Sequence, residues 1–141
     1  MNADEVADKV ARAMLAAEGT GPAWGIEIEE VREGYARIRM TVRADMLNGH
    51  RRAHGGMVYA LADTAFAYAC NSRNLRSVGA QATMVFLDAA GEGDVLVAEA
   101  QEAALVGRSG VYNVSVRTAD GRAIAEFQGF SRSIGGEFVE L

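Results

Sequence analysis

One carboxylate stands alone in a long uncharged stretch. From His54 to Ser72 the chain reads HGGMVYALADTAFAYACNS, and Asp63 is the only acidic or basic residue between its two ends. An ionised carboxylate in apolar surroundings is costly unless it is paired or hydrogen-bonded. Work as a catalytic base or nucleophile is a frequent reason for keeping one; a structural carboxylate satisfied by nearby N–H or hydroxyl groups is the alternative. Eight positions earlier stand Gly55 and Gly56. The first turn of a helix has backbone N–H groups without internal partners and carries partial positive charge. Glycine lets a ligand oxygen come close to them. That suits a carbonyl oxygen gaining negative charge during acyl transfer, although paired glycines also serve as a plain turn into a helix.

The spacing carries a second implication. On a helix, eight residues span about 12 Å at 1.5 Å per residue. A group attacking a carbonyl bound at Gly55 must come within roughly 3 Å of its carbon. A single helix cannot bridge that gap, whereas two antiparallel helices meeting at a two-fold axis can. The expectation is a site shared between two copies of the chain. Thr64, next to Asp63, either positions a water or makes a local hydrogen bond. In the preceding loop, MLNGHRRAHGG, Asn48 fixes a substrate carbonyl or the loop itself. His54 reads as an N-cap or loop fastener ahead of a base, and His50 as an exposed bystander.

These residues belong to 141 residues of 15.0 kDa, read as one domain spanning 1–141. Half the residues are apolar and 23% are charged, which is globular rather than disordered. The net charge of -5 argues against nucleic acid as the main partner. Lys9 is the only lysine beside thirteen arginines, whose planar guanidinium binds phosphate in a bidentate manner. A local anion site is therefore compatible with the acidic whole. Cys70 is the single cysteine, which excludes an intramolecular disulfide and fits a reducing cytoplasm; it reads as a small core residue. No apolar stretch reaches membrane-spanning length and no signal peptide is indicated, so no membrane partner is expected. Two histidines and one cysteine without paired spacing predict no metal site.

Apolar spacing predicts a helix over 4–18, with Gly19 as its stop. Alternation predicts strands over 24–31 and 35–42, with Ile38, Met40 and Val42 opposite Arg37 and Arg39. A polar loop, 43–53, leads into the alanine-rich segment, which is too long for an ordinary strand and is read as helix. Strands over 78–87, 94–103, 110–118 and 122–133 follow, separated by glycine-containing turns and read as a four-strand meander. The fold class is thus α+β, an antiparallel sheet with one long helix buried against it. This arrangement resembles the hot-dog fold, in which such a sheet wraps a central helix.

The stretch MLNGHRRAHGGMVYALADTAFAYACNSRN, with the TMVFL strand and the closing GFSRSIG, resembles the PaaI-type phenylacetic-acid-degradation thioesterases. These are hot-dog acyl-CoA hydrolases. The resemblance implies that the Gly55 N–H polarises a thioester carbonyl, with Asp63 of the facing subunit as general base or nucleophile. Asn48 and His54 would support the site and Thr64 would help place water. It implies homodimers paired into homotetramers, an aromatic, phenylacetyl-type acyl group, and no cofactor beyond the coenzyme A of the substrate. Arg108 and Ser109 in a hairpin, Arg51 or Arg52 in the loop, and Gly56 would receive the coenzyme. Tyr59, Phe66, Tyr68 and Phe86 are unranked candidates for an acyl pocket. Two departures stand out: Ala89 replaces a proline usual after the F-L-x run, and Arg52-Ala53 replaces a small polar or cysteine residue before HGG. Other readings are a non-catalytic acyl-CoA-binding protein and an enoyl-CoA hydratase. The hydratase would need a helix histidine where Tyr68 stands, and the fold alone does not decide.

Overall fold

A computed structural model describes all residues from Met1 to Leu141. Its elements, in order, are α1 (Ala3–Ala17), α2 (Thr20–Trp24), β1 (Glu27–Arg32), β2 (Tyr35–Thr41), a 3-10 turn (Ala44–Met46), α3 (Gly55–Cys70), β3 (Ser77–Phe86), β4 (Val95–Val106), β5 (Ser109–Thr118) and β6 (Ala123–Ser133). The six strands form one sheet in the order β1-β2-β4-β5-β6-β3, every pair antiparallel. Wrapped on its concave face is α3.

Two elements differ from the sequence reading. The expected meander of four consecutive strands is broken, because β3 pairs with β6 and β4 pairs with β2. On leaving β3, the amides of Leu87 and Asp88 bond the carbonyl of Ile124, which keeps the chain beside β6. The Gly91–Asp94 turn then docks on the end of β2: Gly93 donates to the carbonyl of Val42, and Val42 donates to that of Asp94. A turn anchored there cannot close a β3–β4 hairpin. The strand expected from Trp24 begins instead at Glu27. Residues Thr20–Trp24 form a single helical turn stopped by Gly25 in the left-handed conformation at φ +68°. The apolar alternation of Trp24, Ile26 and Ile28 runs through that turn by coincidence of spacing.

The core lies between α3 and the sheet. Leu61, Ala62, Ala65, Phe66 and Ala69 meet Ile38, Met40, Leu96, Ala98, Ala100, Val114, Val116 and Phe127, all buried. Small residues on both surfaces let the helix sit close; trimming Leu61 to alanine in such a core costs about 2–5 kcal/mol. Ala7, Val10 and Ala11 of α1 are also buried, with α1 packed mainly on β1.

One buried side chain joins α3 to the strand that follows it. The amide of Asn71 donates to the carbonyls of Ala67 and Ser77, and its oxygen accepts from the backbone N–H of Ser77. The end of α3 and the start of β3 are thereby tied together. Beyond that tie, β3 is the sheet edge, and Val78, Val85 and Phe86 are each 46–55% exposed.

Candidate active site

Asp63 stands on the face of α3 that its own sheet leaves open. It lines a cleft of about 340 Å³ with Tyr59 and Phe66 of α3 and Gly79, Ala80, Gln81 and Ala82 of β3. Tyr59 precedes Asp63 by four residues and Phe66 follows by three, so the three share one side of the helix. On the strand side, four consecutive residues reach the cleft because the β3–β6 register breaks between Gly79 and Gln81. Such a bulge bends a strand and turns its side chains.

The Asp63 carboxylate makes no hydrogen bond or ion pair within the chain. It is exposed rather than sealed in the core, yet desolvation by the surrounding side chains raises its pKa above the ordinary carboxylate value. Its charge reaches one neighbour: burial first, and Asp63 second, push the Cys70 thiol up to about 12. Cys70 is buried, as its setting suggested.

Gly55 opens α3. His54 is the N-cap, its Nδ1 accepting from the Gly56 N–H at 2.9 Å, while the amides of Met57 and Val58 bond the His54 carbonyl. The Gly55 N–H is left without a protein acceptor. An added Cβ at Gly55 would lie 3.3 Å from Phe86 Cζ, so the ring of Phe86 covers this helix start. Asn48 fastens the loop, its side-chain oxygen accepting from the amides of His50 and Arg52, and Arg51 beside it has a φ of +60°. The Thr64 hydroxyl donates to the Ala60 carbonyl at 2.7 Å. Arg108 lies in the two-residue turn between β4 and β5, and Ser109 opens β5.

Within one chain, then, Asn48, His54, Gly55 and Gly56 gather at the start of α3, and Asp63 and Thr64 lie two turns along it. Arg108 and Ser109 sit at a separate hairpin. The four aromatic candidates are now distinguished. Tyr59 and Phe66 line the cleft; Phe86 covers Gly55; Tyr68 is buried, with its hydroxyl bonded to Glu18. The strand wall, Gly79 to Ala82, escaped the sequence reading. Its one available signal was a glycine inside an apolar strand, which marks a bulge or a close approach.

Comparison with known proteins places the chain in a family. The model of the thioesterase superfamily matches residues 50–125. The acyl-coenzyme A thioesterase PaaI of Escherichia coli K12 is 44% identical over 126 residues, which is 89% of this chain and 90% of that protein. The solved structure of the E. coli PaaI protein from the phenylacetic acid degradation operon superposes with a TM-score of 0.94 at 41% identity, covering 96% of this chain and 99% of that one. A hypothetical thioesterase from Streptococcus pneumoniae TIGR4, solved with coenzyme A, gives a TM-score of 0.77 at 25% identity over 79% of this chain and 90% of its own. The chain belongs to the thioesterase superfamily, and within it to the PaaI-type hot-dog enzymes. It is a thioester hydrolase, and the expected hot-dog fold is the one observed.

Proposed function

We propose that the protein hydrolyses acyl-CoA thioesters at a site built from two subunits. The observation that carries the reading is an ionisable carboxylate without an in-chain partner, in an open cleft, while the free N–H of its own Gly55 lies two turns away. Pairing two copies, with their α3 helices antiparallel, brings Gly55 of one to Asp63 of the other. The unpaired edge of β3 beside the cleft supplies backbone groups for such a pairing. Asp63 then takes the proton of an attacking water, or attacks the carbonyl carbon itself. The carbonyl oxygen takes up negative charge against the Gly55 N–H. The C–S bond breaks and coenzyme A leaves as its thiolate, which takes up the proton drawn from water; where Asp63 has attacked, a water then hydrolyses the acyl–Asp63 anhydride to free the acid.

Supporting residues follow from their bonding. His54 holds the Gly56 amide and thereby the helix start; Asn48 holds the loop and keeps its own NH₂ for the substrate. With its proton on the Ala60 carbonyl, the Thr64 hydroxyl offers its lone pairs to water. Coenzyme A as the thiol carrier rests on the E. coli thioesterase and on the S. pneumoniae structure with coenzyme A. Its phosphates call for arginines that no carboxylate already holds. Arg12, Arg32, Arg37, Arg39, Arg43, Arg73, Arg117 and Arg122 are all in ion pairs, whereas Arg51, Arg52, Arg76, Arg108 and Arg132 are in none; Arg51 lies in the loop before α3 and Arg108 in the β4–β5 turn. We assign Arg51 and Arg108, with Ser109 and Gly56, to the coenzyme. Tyr59 and Phe66 favour an aromatic acyl group. The working unit is one hot-dog domain over 1–141, a dimer paired into a tetramer, cytoplasmic, with no cofactor beyond the substrate's coenzyme; no helix is long and apolar enough to cross a membrane.

The test is thiol release from an acyl-CoA panel by the wild type and Asp63→Asn. A loss of kcat of about 10³ with acyl-CoA binding retained is expected. Unchanged hydrolysis removes Asp63 from the reaction.

A further inference from the structure

Two glycines of the sheet lack the usual conformational reason to be glycine. Gly79 of β3 and Gly129 of β6 are absent from the residues with positive φ, so their extended backbone suits any side chain. Glycine inside a strand also weakens it. What these positions have in common is a neighbour, the ring of Phe66. An added Cβ at Gly129 would lie 2.8 Å from Phe66 Cε1, 2.9 Å from Cδ1 and 2.9 Å from Cζ; at Gly79 it would lie 3.1 Å from Cε2. The ring is therefore laid into a recess that exists only because both strands lack a side chain there. In the sheet these positions are close: Gly129 pairs with Ala82, and Gly79 pairs with Ser131, two residues further along β6.

The ring is buried on most sides and borders the cleft on one. Tyr112 and Phe127 flank it at centroid distances of 5.6 and 5.8 Å, and its own helix backs it. The remaining side is the cleft, which Phe66 shares with Asp63. Phe66 thus forms the floor of the cleft, about one helical turn beyond the carboxylate. Restoring an ordinary contact of 3.4 Å from 2.8 Å would push the ring about 0.6 Å away from Gly129, and among its neighbours the cleft is the space that can take it up.

We infer that Gly129, acting through the ring of Phe66, sets the depth of acyl group that the cleft admits. This rests on the cleft being the acyl site of the thioesterase. The acyl chain begins at the carbonyl beside Asp63 and runs toward Phe66, along the small residues Gly79, Ala80 and Ala82. An acetyl group ends before the floor; a planar aryl group reaches it. Gly129 touches no substrate and is a positioning residue for Phe66.

The experiment measures kcat/KM for acetyl-CoA, phenylacetyl-CoA and octanoyl-CoA with wild type, Gly129→Ala, Phe66→Leu and the double variant. Gly129→Ala is expected to lower phenylacetyl-CoA hydrolysis about tenfold or more while changing acetyl-CoA less than about twofold, since a misplaced methylene in an acyl pocket is worth about 10–200-fold. Removing half the obstructing ring should rescue it, so the double variant returns to within about threefold of the wild-type preference. Phe66→Leu alone should raise the relative rate on octanoyl-CoA about tenfold. An equal loss on all three substrates, or a double variant no better than Gly129→Ala, overturns the inference. If Gly129→Ala does not fold, Phe66→Leu decides: an unchanged acyl profile overturns it. A wild type that hydrolyses none of the three refutes the thioesterase reading instead. Calorimetric binding of the same acyl-CoAs then tests the floor, and a preference identical in wild type and variants, or no binding, overturns it.

Discussion

The proposed sharing of the site between two subunits makes a prediction that is quantitative without any calibration of rates. Take two inactive parents, Asp63→Asn and Gly55→Val. The first removes the carboxylate from the cleft. The second crowds the helix start, where even the first added carbon lies 3.3 Å from Phe86 Cζ, and denies a carbonyl oxygen access to the Gly55 N–H. Each parent dimer carries two copies of the same lesion and should retain about 1% of activity or less, the loss typical of a deleted oxyanion contact or base. In a two-fold dimer each site takes Asp63 from one chain and Gly55 from the other. A mixed dimer therefore concentrates both lesions in one site and leaves the other intact. Equal amounts of the two chains, unfolded together and refolded, give mixed dimers as about half the population. Activity should rise to about one quarter of the wild type at equal total protein, by the same two-fold symmetry. Each parent refolded alone, and the two mixed after folding, are the controls. Thiol release is the assay, and circular dichroism establishes that each parent folds. Activity no higher than the sum of the parents refutes sharing, since a site within one chain is broken in every mixed dimer.

Two further outcomes follow from charges. The pKa of Asp63 is raised by desolvation, so the folded state favours its protonated form, and the stabilisation present below the unfolded pKa is lost as pH rises through the folded pKa. Asp63→Asn should then melt higher than wild type near pH 7, the difference vanishing toward pH 3 in thermal melts; a lower melting temperature at pH 7 contradicts the desolvated site. Arg51→Gln with Arg108→Gln should raise KM for an acyl-CoA about fivefold, with little change for the matching pantetheine thioester that lacks the nucleotide phosphates. Equal effects on both substrates would remove the two arginines from phosphate binding.

How much of this was legible depends on whether a feature is local. Asp63 and the Gly55-Gly56 pair could be read because an acid amid alanines and a glycine pair at a helix start each state a chemical oddity in place. The helix and most strand bounds were legible for the same reason, since apolar periodicity is local. Strand order was not. Nothing near Phe86 or Val95 says that one strand belongs beside β6 and the other beside β2; that is settled by the contacts of Leu87, Asp88 and Gly93 with distant backbone. The cleft wall was hidden likewise, because a bulge at Ala80 exists only relative to the register of Phe130 and Ser131. Gly129 looked like any strand glycine until the ring of Phe66 was seen against it.

The bond between Asn71 and Ser77 has a mechanical consequence. The helix and strand that form the two sides of the cleft follow each other in the chain and are riveted at one end by a buried amide, where Asn71 both gives to and takes from the same residue. The strand side is also paired to β6 as far as Phe86, so the joint fixes where the helix side stands against a wall already held by the sheet. Asp63 lies midway along the helix and Phe66 nearer the joint, so an error in the joint would be passed to both walls of the cleft. The width of the cleft is thus set by one amide that touches neither the carboxylate nor the ring.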